Sequence, residues 1–92
     1  MNKVVYNGCY GGFGLSVRAI KLLEERGVEF AYDLPRHHPE LVRVVEELGD
    51  AANGRHARLF VEEIEGNKYR IDEYDGSENV VVPNEEEWTV IR

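Results

Sequence analysis

The stretch Asn7-Gly8-Cys9-Tyr10-Gly11-Gly12-Phe13-Gly14-Leu15-Ser16 decides how the first part of this chain folds. Four glycines lie within it, together with two aromatic side chains and the only cysteine of the chain. The apolar run at residues 3–6 precedes it and predicts a short strand. Ser16 predicts a helix N-cap, because its hydroxyl can accept a hydrogen bond from a first-turn amide. We call the stretch the glycine loop and expect it to turn a strand tightly into a helix.

The periodicity after the loop predicts two helices. The first covers residues 17–26, with an apolar stripe, and Gly27 ends it as a left-handed cap. The second begins at Pro39, whose missing amide costs nothing in the first turn, and it ends at Gly49. Between the helices, the alternation at residues 28–32 predicts a short edge strand.

The rest of the chain reads as a β-meander. Residues 57–65 and 68–74 flank the two-residue turn Gly66-Asn67, and a turn of that length sets the register. That register predicts three facing pairs: Ile64 with Tyr69, Glu63 with Arg70, and Glu62 with Ile71. The next turn, Asp75-Gly76, then predicts two more pairs: Ile71 with Val80, and Tyr69 with Val82.

The C-terminal residues complete the predicted sheet. Pro83 ends the third meander strand, because proline cannot donate to a strand ladder. Residues 88–91 predict a last strand, with Trp88 as an apolar anchor. The order of elements therefore predicts an α+β fold in which two helices pack on one face of a small, mainly antiparallel sheet. Residues 1–92 are predicted to form a single domain.

Charge is spread unevenly along the chain. The net charge is −7, and residues 62–92 account for all of it with ten acids and three bases. This balance argues against direct nucleic-acid binding, which needs clustered Lys and Arg. No apolar run approaches the roughly 20 residues that span a bilayer, so no membrane association is expected. An N-terminus without a signal-peptide pattern and a single cysteine predict a cytoplasmic protein.

Four segments carry a resemblance that covers nearly the whole chain. They are YNGCYGGFGLS, LPRHHPELVRVVEELG, ANGRHARLFVEE and YRIDEYDG, and a Trp follows them. In this order they resemble an uncharacterised family of small proteins from bacteriophages, large viruses and some bacteria. Members often carry Asp at the position of His38. The resemblance implies a phage-type context, with the host cytoplasm as the location if a phage encodes the chain, and it implies no particular reaction.

The glycine loop has two interpretations. As a ligand cradle, its free amides and the positive end of the following helix would receive an anion, and its aromatic rings would stack on a base. It lacks the Gly-Lys-Ser/Thr of a P-loop, and Val17 replaces the third glycine of a dinucleotide fingerprint. The other interpretation is a tight backbone crossing that needs glycine. The candidate ligand residues in the loop are Cys9, Tyr10, Gly11, Gly12, Phe13, Gly14 and Ser16.

Two basic clusters flank the second helix. If they converge near the glycine loop, their guanidinium groups would suit a phosphate. The alternative is that Arg36 and Arg58 pair with surface carboxylates. The candidate ligand residues in these clusters are Arg36, His37, His38, Arg55 and Arg58.

Cys9 is a candidate nucleophile if a histidine lies beside it. His37, His38 and His56 are the available bases, with Asp33 as an orienting group, but no spacing brings them together. A buried, inert thiol is the alternative. No ligand spacing typical of a metal site is present, so neither a metal nor another cofactor is predicted.

The sequence therefore leads to one preferred function and two alternatives. The preferred function is a phage-type accessory binding protein without catalytic turnover. Its partner is a phosphate-bearing small molecule, such as a nucleotide, or an unknown host protein. The alternatives are an inhibitor whose acidic surface mimics nucleic acid against a host protein, and a small Cys-dependent enzyme. The short strands can also pair their edges into a homodimer.

Overall fold

A computed structural model describes residues 2–31 and 33–82. Its elements confirm the α+β class, with two α-helices and two small antiparallel sheets. In chain order they are β1 (Asn2–Asn7), α1 (Val17–Glu25), α2 (Pro39–Leu48), a short 3-10 helix (Gly49–Ala52), β2 (Leu59–Ile64), β3 (Arg70–Tyr74) and β4 (Ser77–Val81).

The strand pairing corrects the predicted meander. β2 pairs with β1, not with β3, so Glu63 faces Lys3 instead of Arg70, and Glu62 faces Val4. The reason lies in the core: residues of β1 and of β2 both pack against the helices, and the β1–β2 pairing places them side by side.

The second sheet agrees with the prediction. β3 and β4 form an antiparallel hairpin in which Ile71 faces Val80. Asp75 and Gly76 both have positive φ angles, 52° and 91°, as a two-residue turn of type I′ requires. The predicted pair Tyr69 and Val82 lies just beyond the two strands. The predictions that Pro83 ends a strand and that Trp88 lies in a last strand concern residues outside the described ranges.

Helix α1 begins as the sequence predicts. The Ser16 hydroxyl accepts a hydrogen bond from the Ala19 amide at 3.1 Å and donates to the Ala51 carbonyl at 2.6 Å. The helix ends at Glu25, and Gly27 follows with a φ of 82°. Val17, the first residue of the helix, is apolar but 69% exposed, so it does not join the buried face.

Helix α2 has Pro39 in its first turn and His38 as its N-cap, where Nδ1 accepts from the Glu40 amide at 3.2 Å. Gly49 ends it with a φ of 57°. The two helices contribute most residues of the buried core, and Val5 of β1 also belongs to it. The core residues from the helices are Ala19, Leu23, Leu41, Val42, Val44 and Val45. No helix in the described part of the chain is long and apolar enough to cross a membrane.

The structure describes residues 28–31 of the predicted edge strand, and these residues do not form a strand, so this prediction is wrong for them. The Val28 amide donates a hydrogen bond to the Leu23 carbonyl at 3.0 Å, so the chain folds back against the end of α1. Phe30 has a φ of 54°, in the left-handed region, and its carbonyl accepts from Asp33. Because this segment is a succession of turns, its apolar alternation does not mark a strand.

Candidate functional site

Asn7, at the end of β1, connects three segments of the chain through its side chain. Its amide nitrogen donates to the carbonyls of Cys9 at 2.6 Å and Gly76 at 2.8 Å. Its amide oxygen accepts from the backbone amide of Arg58 at 2.8 Å. The side chain is fully buried, so these bonds replace water. Asn7 therefore holds together the glycine loop, the segment before β2 and the β3–β4 turn.

Glu78 is the second buried polar residue at this junction. One carboxylate oxygen accepts from the Asn7 backbone amide at 2.8 Å. The carboxylate also forms a bidentate pair with Arg36, at 2.5 and 2.9 Å, and only 7% of the Glu78 side chain is exposed. The Arg36 guanidinium lies 3.6 Å from the centre of the Phe13 ring. Arg36 thus follows the alternative prediction, a carboxylate pair, but the pair is largely buried.

The glycine loop crosses the segment that precedes β2 at very short range. The Gly14 carbonyl accepts from the Gly54 amide at 2.9 Å, and Leu15 forms a β-bridge with Asn53. A Cβ placed on Gly11 would lie 1.8 Å from the His56 carbonyl oxygen. Gly12 has a φ of 92°. These contacts account for the glycines as a tight backbone crossing.

The crossing leaves a group of exposed side chains at its rim. Tyr10 is 71% exposed and Tyr74 is 78% exposed. The Tyr10 backbone contacts Gly76, two residues after Tyr74 in the chain: a Cβ added to Gly76 would lie 2.2 Å from the Tyr10 carbonyl oxygen. The Gly11–His56 contact brings the basic segment to the same place. We call this group the aromatic–basic surface; it consists of Tyr10, Arg55, His56, Arg58 and Tyr74.

The two arginines of this surface are not paired within the described residues. Arg55 and Arg58 are exposed, and their side chains form no hydrogen bond or ion pair there. The backbone of Arg58 is fixed on both sides, since its amide donates to Asn7 and its carbonyl accepts from the Gly8 amide at 2.8 Å. The predicted surface pairing of Arg58 is therefore wrong for the described part of the chain.

The Cys9 thiol forms no hydrogen bond with a histidine ring within the described residues. Its half-buried thiol donates to the His56 carbonyl oxygen at 3.1 Å and to the Asn7 side-chain oxygen at 3.4 Å. Both acceptors are amide oxygens, which do not take up the thiol proton near neutral pH. The imidazole of His38 caps α2 and that of His37 contacts Tyr69. The structure thus gives these two histidines other partners.

His37 forms a pair with a residue that the sequence did not single out. Its Nδ1 lies 2.7 Å from the Tyr69 hydroxyl, and the two rings meet edge to face. Burial raises the pKa of Tyr69 above its usual value, while the positive charge of Arg36 and the neighbouring His37 act in the opposite direction. Tyr69 is therefore a neutral phenol near pH 7.

Sequence reasoning missed Asn7, Glu78 and Tyr69 as site residues. Two signals were present in the sequence. Asn7 is a polar residue at the end of an apolar strand, and Glu78 lies on the same strand face as Val80, because side chains alternate between the two faces. Within residues 2–31 and 33–82, no group of three or more His, Cys, Asp or Glu side chains is placed to hold a metal ion.

Comparisons with models of protein families, with curated proteins and with solved structures found no match to this chain. The interpretation of the site therefore depends on its own residues and on their geometry.

Proposed function

We propose that the protein is a small accessory binding protein that acts without catalytic turnover. Its ligand is phosphate-bearing and aromatic, as a nucleotide is, and it binds at the aromatic–basic surface. The observation that carries the proposal is that Arg55 and Arg58 are exposed and have no ion-pair partner within the described residues. Their segment contacts the backbone of the glycine loop, which bears the exposed Tyr10, and Tyr74 is exposed as well. A host protein that presents a phosphate next to an aromatic side chain would use the same groups.

The unpaired state of these arginines is informative because carboxylates are abundant. The chain has eighteen acids and eleven Lys and Arg residues, and several of its cations form ion pairs. Those of Lys3, Arg26, Arg36 and Arg43 are examples. Guanidinium groups without an internal partner keep all their donors for an external anion, and their planar fork matches the geometry of phosphate.

The tyrosines supply the apolar part of the proposed recognition. An exposed aromatic ring can stack on a base, whichever base it is. The Tyr10 backbone contacts Gly76, in the turn that directly follows Tyr74, so the two tyrosines belong to neighbouring segments. The buried bonds of Asn7 and Glu78 fix the segments below them. Such a framework reduces the ordering that a ligand must impose when it binds.

The absence of turnover in the proposal follows from the surroundings of Cys9. Nucleophilic catalysis needs a base within hydrogen-bond reach of the thiol, and the oxygens next to Cys9 are amide acceptors. A binding role makes no such demand. The phage-type context of the proposal depends on the sequence resemblance alone.

The acidic inhibitor is the weaker alternative on geometric grounds. The acidic surface of this alternative belongs to the predicted meander, on which Glu62, Glu63, Glu65 and Glu73 lie. Because β2 and β3 belong to different sheets, the meander that would carry these carboxylates is not formed as predicted.

The thermal stability of the pure protein with and without nucleotides tests the proposal. We expect nucleoside phosphates at millimolar concentration to raise Tm, and the double variant Arg55→Ala/Arg58→Ala to lose the rise. Arg18→Ala/Lys21→Ala is the matched control, since it also removes two exposed cations, from α1. It should keep the rise. No increase in Tm with any nucleotide, or an equal loss in both double variants, would contradict the proposed site.

A further inference from the structure

A second concave region lies away from the aromatic–basic surface. Two adjoining cavities, of about 220 and 290 Å³, share Asn2 and His37 in their linings. The first also contacts Ile64, Asn67 and Tyr69. Because the shared residues join the two cavities, we treat them as one groove, the His37 groove.

The His37–Tyr69 pair gives the groove a hydrogen-bond donor in every neutral state. The imidazole carries one N–H and the phenol carries one O–H, and the bond between them uses one of these two hydrogens. The other hydrogen is left for a third group, whichever tautomer His37 adopts. Protonation of His37 would add a second free donor. The pair can therefore donate to a ligand that accepts hydrogen bonds.

The remaining lining adds charged groups and an apolar floor. Lys3 and Arg43 line the second cavity; Lys3 pairs with Glu46 at 2.8 Å, and Arg43 pairs with Glu40. An ammonium has three donors, so Lys3 can bind a further oxygen. Ile64 and Val42 are buried and supply apolar surface at the two ends.

We infer that the His37 groove is a second ligand site, which takes a small organic carboxylate with a short apolar body. The carboxylate meets the free donor of the His37–Tyr69 pair and the ammonium of Lys3. The apolar body covers the side chains of Ile64 or Val42. This inference is independent of the proposed function, because the groove shares no residue with the aromatic–basic surface.

Nuclear magnetic resonance titration with sodium butyrate tests the site. Butyrate should give saturable shifts of the ring signals of His37 and Tyr69 at millimolar concentrations. Butanol and butylammonium chloride, at matched ionic strength, have the same number of carbon atoms without the negative charge. They should bind at least about tenfold more weakly, because they lack the charge-assisted hydrogen bonds.

Two single variants keep the test sharp. Tyr69→Phe retains the ring and removes the hydroxyl, so it should weaken butyrate about tenfold. Tyr6→Phe also removes one phenol hydroxyl, from a residue that lines neither cavity, and it should leave the affinity unchanged. The inference is overturned if butyrate gives no saturable shift of His37 and Tyr69, if butylammonium binds as well as butyrate, or if Tyr69→Phe and Tyr6→Phe change the affinity equally.

Discussion

The backbone amide of Asn7 donates to the Glu78 carboxylate across 2.8 Å and joins two sheets that share no strand pairing. The same carboxylate holds Arg36, and the Asn7 side chain reaches the Gly76 carbonyl in the β3–β4 turn. The β3–β4 hairpin is thus attached near Asn7 by polar side chains rather than by a backbone ladder. The stability of the hairpin should depend on these few groups.

Replacement of Glu78 by Gln should destabilise the protein by about 3 kcal/mol, because it leaves Arg36 without its buried counter-charge. Urea denaturation measures the change. Glu65→Gln, which removes an exposed acid next to β2, is the control and should stay within about 0.5 kcal/mol of the parent. The double variant Arg36→Met/Glu78→Met should cost less than the single variants predict together. Full additivity would show that the two residues do not act as a pair.

Asn7 should not tolerate an isosteric carboxylate. In Asn7→Asp, an acceptor would replace the donor that faces the carbonyls of Cys9 and Gly76, and the new charge would be fully buried. We expect a loss of about 3–5 kcal/mol at neutral pH, as for other uncompensated buried charges. Relative to the parent, the variant should recover as pH falls, because burial raises the pKa of the new carboxyl and the protonated form regains a donor.

Asn53→Asp is the matched control for this prediction. Asn53 also precedes a glycine, but its side-chain oxygen accepts from the Leu59 amide at 2.9 Å. An Asp keeps that acceptor, so the cost should be below about 1 kcal/mol. Urea denaturation of both variants decides the matter: equal losses in the two would refute a donor role for Asn7.

The features that the sequence predicts well are those with local causes. Ser16 caps α1 because the group it bonds is three residues away, and Pro39 with Gly49 bounds α2 through backbone preferences. The β3–β4 hairpin follows in the same way from Asp75-Gly76, since its turn fixes its register. Each of these elements depends on residues within one or two turns of chain.

The features that the sequence does not predict depend on distant partners. β2 has a turn signal on its C-terminal side, yet it pairs with β1 at the other end of the chain. Arg36 has the chemistry of a phosphate ligand, but its guanidinium pairs with Glu78, forty-two residues further along the chain. Spacing carries no information on such contacts, because the packing of the whole core decides which segments meet.

Two glycines of the glycine loop, Gly11 and Gly14, provide a further prediction, in which the second serves as the control for the first. Gly11→Ala would place a methyl group 1.8 Å from the His56 carbonyl oxygen, so the crossing would have to open. We expect a loss of about 3 kcal/mol, at the upper end for overpacking. At Gly14 the nearest atom to an added Cβ is 4.0 Å away, so Gly14→Ala should be neutral or stabilise by up to about 1 kcal/mol. Thermal unfolding of the two variants measures the difference, and similar Tm values would argue against the close crossing.

The last prediction concerns alkaline pH and Tyr69. Burial raises the pKa of Tyr69 in the folded state above the value of 10.0 for a free phenol. Above roughly pH 10 the unfolded chain therefore loses the phenol proton while the folded chain keeps it, and stability falls as pH rises. Tyr69→Phe lacks this proton, so its free energy of unfolding should fall less steeply with pH. Because the variant also loses the His37 bond, the slopes and not the absolute stabilities are compared.

Lys3 also makes the free energy of unfolding fall as pH rises, and it is present in both the parent and Tyr69→Phe. Its hydrogen bond to Glu46 raises the pKa of the ammonium, so the stability it contributes is present below about pH 10 and is lost above it. The difference in slope between the parent and Tyr69→Phe therefore isolates Tyr69. Urea denaturation from about pH 8 to pH 11, with tyrosinate absorbance recorded in parallel, gives both quantities. Parallel curves for the two proteins would mean that the Tyr69 hydroxyl titrates as it does in the unfolded chain.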